Sequence, residues 1–523
     1  MKFSDKILES RRPLPDLAPP PRRAEDAAEG GCGVLGLAAN VPIAGKHVLT
    51  ASTQMHNRGN GKGGGIAMVG LDPAQAGVDA ATLCSHTLLQ IALLDPSARE
   101  AVERDFITPN FDVAHAYELG HLDDFREVDG LEVRPPDVWR YFVRVKPDVL
   151  ARFGHDSGLH APSTGSGQRL APRALEDEFI YQNSYRLNVK FYASLGEKRA
   201  FVMSHGRNLS VLKIVGYAEQ VVAYYQLEEQ TAHVWIAHQR YPTKGRVWHP
   251  GGAHPFIGLN EALVHNGDFS NYHAVSEYLR QRNIGQLFLT DTEVSVQLFD
   301  LWDRVYGYPL EITLEAMAPT TEHDFAMLPP EKQDLYRAVQ RTHIHGSPDG
   351  PWFFIVARSN AEEDEFELLG ITDTSMLRPQ VFAIFDNRDS NIEYQNVQIG
   401  LIASERQAIH ACLRSLSDED DRFKPYADKY WNARGGSYTD GGAFRFTVTP
   451  LRLPPNSANL GGEKEGGYEM ACKNKFGDPV TLLPNLTHAP ACLEPDKAGE
   501  TFRRDWQETL VRACDDGGPP AAW

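Results

Sequence analysis

Ala262-Leu-Val-His-Asn-Gly-Asp-Phe-Ser-Asn-Tyr272 is an apolar run that stops abruptly at His265-Asn266-Gly267-Asp268. The pattern predicts a strand running into a tight turn. The side-chain amide of Asn266 and the backbone N–H of Gly267 are two neutral donors that can aim at one point, the arrangement that holds a developing oxyanion. Taken alone, Asn-Gly is more often a plain hairpin turn. Its company changes the reading. His238-Gln-Arg-Tyr-Pro-Thr-Lys-Gly245 also closes an apolar run, and near the start lies Gly31-Cys32-Gly33-Val34-Leu35-Gly36.

Composition bounds what surrounds these segments. The 523 residues allow a large core and about three domains, and the 42% hydrophobic content is that of an ordinary globular protein. A net charge of −18, from 52 Lys and Arg against 70 Asp and Glu, argues against nucleic acid or an anionic membrane as partner. No apolar run reaches the ~18 residues that cross a bilayer. The six cysteines, Cys32, Cys84, Cys412, Cys472, Cys492 and Cys514, form no Cys-x-x-Cys pair, so zinc-ribbon and common iron–sulfur spacings are absent. His233, His238, His249, His254 and His265 lack the helical spacing of a zinc site, and no metal is expected. Gly59-Asn-Gly-Lys-Gly-Gly-Gly65 lacks the first glycine of a phosphate loop and the hydroxyl residue after Lys62, which rules against a nucleotide site.

The three segments together resemble the class II glutamine amidotransferases, N-terminal-nucleophile enzymes that hydrolyse glutamine to glutamate and ammonia. Arg58-Gly-Asn-Gly-Lys-Gly-Gly-Gly-Ile-Ala67 is similar to the family's arginine–glycine loop, Thr290-Asp-Thr-Glu293 to its acidic helix start, and Leu377-Arg378-Pro379 with Ala403-Ser404-Glu405 to a late pair of motifs. The motifs are in order and span Cys32 to about residue 415. Met203 to Tyr217 and Gly251-Gly-Ala-His-Pro255 look most like the separately encoded amidotransferase subunits of archaeal-type glutamate synthases.

The resemblance implies a four-layer αββα sandwich; periodicity by itself gives only mixed strands and helices, an α/β or α+β class. It implies a leader, residues 1–31, whose removal exposes Cys32; composition alone reads that Pro-rich stretch as a tail. It implies a domain over 32–454 with an insertion near 96–180, and an extension over 455–523. Helices are expected at Pro96–Phe106, Pro136–Phe153, Ala218–Glu229, Tyr272–Asn283, Thr290–Tyr306, Arg406–Leu416 and Ala498–Arg512. Thr290 with Glu293 has the capping-box pattern, and Ser404 is a candidate cap. Strands are expected at Lys190–Leu195, Ala200–Ser204, Val234–Tyr241, Ala262–His265, Trp352–Val356, Gln380–Phe385 and Gln398–Ala403.

The chemistry follows from residue types. A free thiol has a pKa of ~8.5 and needs a base. If Cys32 becomes the first residue, its own α-amine, with an unperturbed pKa of ~7.7–8.0, is that base on the same residue as the sulfur. An internal Cys32 has only a non-basic amide nitrogen, so the uncleaved chain is expected to lack activity. Gly33 leaves the approach to the sulfur uncrowded. The α-carboxylate of glutamine calls for a bidentate donor, Arg240, and its α-ammonium for a carboxylate, Asp291. Asn266 and Gly267 are the expected oxyanion hole, the resemblance implies that Arg58 braces the nucleophile loop, and Tyr241 and Thr243 are expected either to wall Arg240 or only to pack. The chain ends roughly 70 residues after the domain, too few for an acceptor domain, so ammonia is expected to pass to a separate glutamate synthase subunit. FMN and iron–sulfur clusters would belong to such partners, with no cofactor in this chain, and the location would be cytoplasmic. An amidotransferase for another acceptor, such as methylamine–glutamate synthesis, or a non-catalytic regulatory homologue are the alternatives.

Overall fold

A computed structural model of the chain describes residues 31–157, 159, 171–192, 196–240, 249–361, 363–375, 377–378, 380–387, 396–451 and 467–480. All elements below lie in the unit that ends at Pro479. Three sheets, antiparallel in every pairing, carry the fold, and with the helices they give an α+β class.

The largest sheet has seven strands in the order β15 (Lys429–Trp431), β13 (Val381–Asp386), β14 (Gln398–Ala403), β1 (Gly33–Ala44), β8 (Thr231–Gln239), β2 (Gly64–Leu71) and β7 (Leu209–Ile214). Its central strands read as continuous apolar runs because both faces are covered; every residue of β2 is buried. Helices Gly45–Thr53, Ala218–Tyr224 and Arg406–Ser417 contact one another or this sheet. The second sheet has six strands in the order β17 (Tyr468–Asn474), β16 (Ala443–Pro450), β12 (Glu365–Thr372), β11 (Trp352–Asn360), β10 (Glu261–Gly267) and β9 (Phe256–Ile257). The two sheets touch through side chains. Phe382 of β13 packs edge-on to Phe353 of β11 and Phe444 of β16, at 5.9 and 5.2 Å between ring centroids. Each such fully buried ring contributes about 1.5–3 kcal/mol. Helix Asp291–Asp300 lies against β9 and β10. Strand β17 extends the second sheet to Asn474, past the expected boundary at Pro454.

The third sheet has four strands in the order β4 (Phe111–Glu118), β5 (Asp137–Val145), β3 (Thr87–Leu93) and β6 (Ala200–Ser204), of which β4 and β5 lie in the stretch expected as an insertion. With helices Pro147–Asp156 and Pro172–Phe191 it encloses its own apolar cluster, including Leu89, Ile91, Tyr141, Val143 and Phe191. Two expectations fail here. Residues 137–145 are a strand, and the helix starts only at Pro147. Lys190 and Phe191 close a 20-residue helix and do not open a strand. The expected helix Ala498–Arg512, and residues 193–195, lie outside the described residues. Among the described residues no helix is long and apolar enough to cross a membrane.

Candidate active site

Register brings the expected residues together. Gly33, the first residue of β1, pairs with Gln239, the last of β8, so Cys32 and Arg240 continue from adjacent strand ends. Gly64 at the start of β2 pairs with the same Gln239, and the Arg240 N–H donates to the Gly63 carbonyl at 2.8 Å. Cys32 is 8% exposed. Ser404 clamps its chain: the hydroxyl accepts from the Val34 N–H at 2.8 Å and donates to the Cys32 carbonyl at 3.2 Å. Ser404 is therefore not the cap of the following helix, whose N-cap is Glu405. Glu405 accepts from Arg58 Nε at 2.5 Å, which holds Arg58 beside the start of β1. The missing side chain of Gly33 leaves room for Met55 and Arg58, whose Cβ atoms would lie 3.1 and 3.2 Å from an added Cβ. That glycine thus serves packing behind the loop, where an open approach was expected.

Arg240 is half-buried, and its Nη1 donates to the Gly252 carbonyl at 2.9 Å. Burial lowers its pKa, while Cys32 and Asp291 act on it as negative charges in the opposite direction. The arginine therefore feels both partners that the chemistry asks for. Tyr241 and Thr243, the expected wall beside it, lie outside the described residues.

The second sheet brings up the expected donors. Asn266 and Gly267 end β10, opposite Phe353 and Trp352. Asn266 is 3% exposed, and its Oδ1 has no hydrogen-bond partner among the described residues. Gly267 has φ +141°, and an added Cβ would lie 2.0 Å from the Pro351 carbonyl oxygen, so no other residue fits the turn. His238 of β8 crosses to this sheet, its Nε2 3.2 Å from the His265 carbonyl oxygen. Burial holds His238 well below the usual imidazole range, so it bridges the sheets as a neutral donor. The His265 ring then meets helix Asp291–Asp300, with Nδ1 3.3 Å from Thr292 Oγ1 and 3.6 Å from Asp291 Oδ1. Burial pushes the Asp291 carboxyl up, but the charge and hydrogen bond of His265 and the Phe269 and Thr292 N–H groups outweigh it and hold the carboxyl below its ordinary value. Asp291 stands ready as an anion.

The expected capping box is half-formed. Thr290 accepts from the Glu293 N–H at 3.1 Å, but the Glu293 carboxylate turns to the preceding loop. Burial raises the pKa of the three other described thiols: Cys412 to about 12, and Cys472 and the exposed Cys84 as well. Among the described residues two groupings could geometrically hold a metal, Glu118 with His121 and Asp137, and Glu363 with Glu365 and Glu367. One carboxylate of each is also paired with an arginine, Asp137 with Arg134 at 2.6 Å and Glu367 with Arg445 at 3.1 Å. The stretch Gly59–Gly65 wraps Tyr217, whose ring would be 2.9 Å from a Cβ at Gly59.

No family model matches the chain. An uncharacterized protein from Archaeoglobus fulgidus is 31% identical over 357 residues, 68% of this chain and 82% of its own length. Glutamine–fructose-6-phosphate aminotransferase from Campylobacter jejuni is 28% identical over 227 residues, 42% of this chain and 35% of that protein. The glutamine amidotransferase-like protein GlxB from Rhizobium meliloti is 34% identical over 95 residues, 18% of this chain and 31% of that one. The chain belongs to one family with the archaeal protein, and its partial matches are to proteins of the glutamine amidotransferase type. It spans about a third of the length of those two named relatives of the amidotransferase type. The solved glutamine PRPP amidotransferase from B. subtilis covers 51% of this chain and 40% of its own, at a TM-score of 0.26 and 15% identity, too slight a likeness to argue from.

Proposed function

We propose that the chain hydrolyses glutamine to glutamate and ammonia through a thioester on Cys32, once residues 1–31 are removed. The observation that carries this reading is the juxtaposition of Cys32 with Arg240 at paired strand ends, with Asp291 within electrostatic reach of the same guanidinium. A thiol beside a cation and an anion suits an amino acid bound by both ends of its α-carbon. The names of the curated relatives have glutamine in common.

In this reading the α-amine of Cys32 takes the thiol proton, and the sulfur attacks the carboxamide carbon. Asn266 and the Gly267 N–H hold the resulting oxyanion. The amine hands its proton to the leaving nitrogen, the C–N bond breaks, and ammonia departs. Water, deprotonated by the same amine, then attacks the thioester; glutamate leaves and the thiol is restored. Arg240 binds the α-carboxylate and Asp291 the α-ammonium. Arg58 braces the loop through Glu405, and Tyr241 and Thr243 wall the pocket. In this reading the two contacting sheets and their helices make up the αββα layering of N-terminal-nucleophile hydrolases.

The ammonia goes to a separate glutamate synthase subunit, in the cytoplasm, where the partner carries FMN and iron–sulfur clusters. This part rests on the resemblance of Met203–Tyr217 and Gly251–Pro255 to such amidotransferase subunits. The test is ammonia and glutamate release by the chain trimmed to Cys32, alone and with a candidate synthase subunit. Release that is abolished by Cys32→Ala, without loss of fold, supports the reading. Undiminished release by that variant contradicts it.

A further inference from the structure

Behind the groups that would touch substrate, two ionisable side chains are buried: Lys213 on β7, 3% exposed, and Glu293 in the first turn of helix Asp291–Asp300, 4% exposed. The Glu293 carboxylate accepts three successive backbone N–H groups, from Leu287 at 2.6 Å and from Phe288 and Leu289 at 2.9 Å each. Leu289 has φ +59° and is half-exposed. A leucine takes that left-handed conformation only when its surroundings hold it there. The bend it makes leads directly into Thr290-Asp291.

Lys213 serves the opposite wall. Its Nζ donates to the Gly251 carbonyl at 3.4 Å, next to the Gly252 carbonyl that holds Arg240. The same Nζ lies over Phe256, Phe288 and Phe201 at 4.3, 5.4 and 5.5 Å. The walls meet at Phe288: its N–H is bonded to Glu293, its ring faces Lys213, and its Cε1 would lie 3.0 Å from a Cβ added to Gly251. Lys213 and Glu293 thus meet, through Phe288, at both the shelf under Arg240 and the bend before Asp291.

We propose that Lys213 and Glu293 are positioning residues that fix the separation of Arg240 from Asp291, and so make the pocket select the head group of an α-amino acid. The inference rests on the glutamine-hydrolase reading. The carboxylate and ammonium on one α-carbon stand a fixed distance apart, so their two receptors must be held at one spacing to within about 0.5 Å. Burying two ionisable groups is costly and is offset when each has partners that need it. Burial raises Glu293 to about 7 and lowers Lys213 to about 7, the cost that these contacts offset.

The experiment uses the trimmed chain and two reagents for Cys32. One is a glutamine-shaped diazoketone, 6-diazo-5-oxo-L-norleucine; the other is iodoacetamide, which has no amino-acid head group. Glu293→Gln and Lys213→Met are expected to slow the diazoketone about tenfold and to raise KM for glutamine by a similar factor, with kcat nearly unchanged and the iodoacetamide rate that of the wild type. Adding Leu289→Gly to Glu293→Gln should recover diazoketone reactivity, because glycine needs no help to hold the bend. If Glu293→Gln fails to fold, Lys213→Met gives the same readout. Unchanged diazoketone rates, or equal slowing of both reagents, overturn the inference alone. A wild-type chain inert to the diazoketone overturns the glutamine reading itself.

Discussion

Asn266 and Gly267 show what one residue can reveal. Their type and order pointed to paired donors at a strand end, and β10 ends there. Asn266 Oδ1 is buried without a partner, so truncating the side chain forfeits no hydrogen bond at that atom. Asn266→Ala is therefore expected to cut kcat by about 10²–10³ with little change in melting temperature, as steady-state kinetics and calorimetry would show. Ser404 was harder to read. A serine before a helix looks like a cap, and nothing local says that its hydroxyl serves Cys32 and Val34 some 370 positions away. Ser404→Ala leaves the Val34 N–H without its partner, a loss of about 1–3 kcal/mol by urea unfolding, with a fall in turnover as the nucleophile strand loosens. Glu293 gives the pH dependence. Its carboxyl, raised from 4.5 to about 7 by burial, keeps a proton in the folded chain that the unfolded chain releases. Its contribution to stability therefore falls as pH rises between about 4.5 and 7. Melting temperatures taken from about pH 5 to about pH 7 should decline more steeply for the wild type than for Glu293→Gln.

At the scale of elements, the long apolar runs were legible and the half-exposed ones were not. Thr231–Gln239 and Glu261–Gly267 are strands because both faces of their sheets are covered, which forces uninterrupted apolar sequence. Asp137–Val145 was misread as helix because Val138, Tyr141, Phe142 and Val145 also suit a 3.6-residue period, and the pairing with β3 and β4 that decides it is remote. The 20-residue helix Pro172–Phe191 was missed because buried polar residues, Glu176, Asn183, Ser184 and Asn188, interrupt its apolar face. One of these ties the element down. Arg207, after β6, reaches Glu176 at 3.2 Å and also Asp177, while Glu176 accepts from Arg144 and the Val145 N–H at 2.9 Å each. Arg207→Ala strands buried carboxylates and is expected to cost about 3–5 kcal/mol in chemical unfolding. Arg207→Lys should recover little, since one ammonium cannot serve both acids in the forked geometry.

For the molecule as a whole, the candidate site is a product of two sheets that meet. The seven-stranded sheet supplies Cys32 and Arg240, the six-stranded sheet Asn266 and Gly267, and the helix behind it Asp291. Residue types and motif order named these five as candidates. The cross-sheet bridge of His238 to the His265 carbonyl and the seat made by Lys213 and Glu293 had no such signal, because each joins segments whose proximity exists only after folding. The same holds for the third sheet, whose edge strand β4 is mostly exposed and gives little apolar pattern to read. The account stands on Cys32 acting from a free N-terminus in a glutamine-shaped pocket. Peptide mapping by mass spectrometry, after the trimmed chain meets the glutamine-shaped diazoketone, tests this most directly. The account predicts one adduct, on the Cys32 sulfur, that excess glutamine prevents. An adduct on another residue, or none on a chain verified to begin at Cys32, would contradict it.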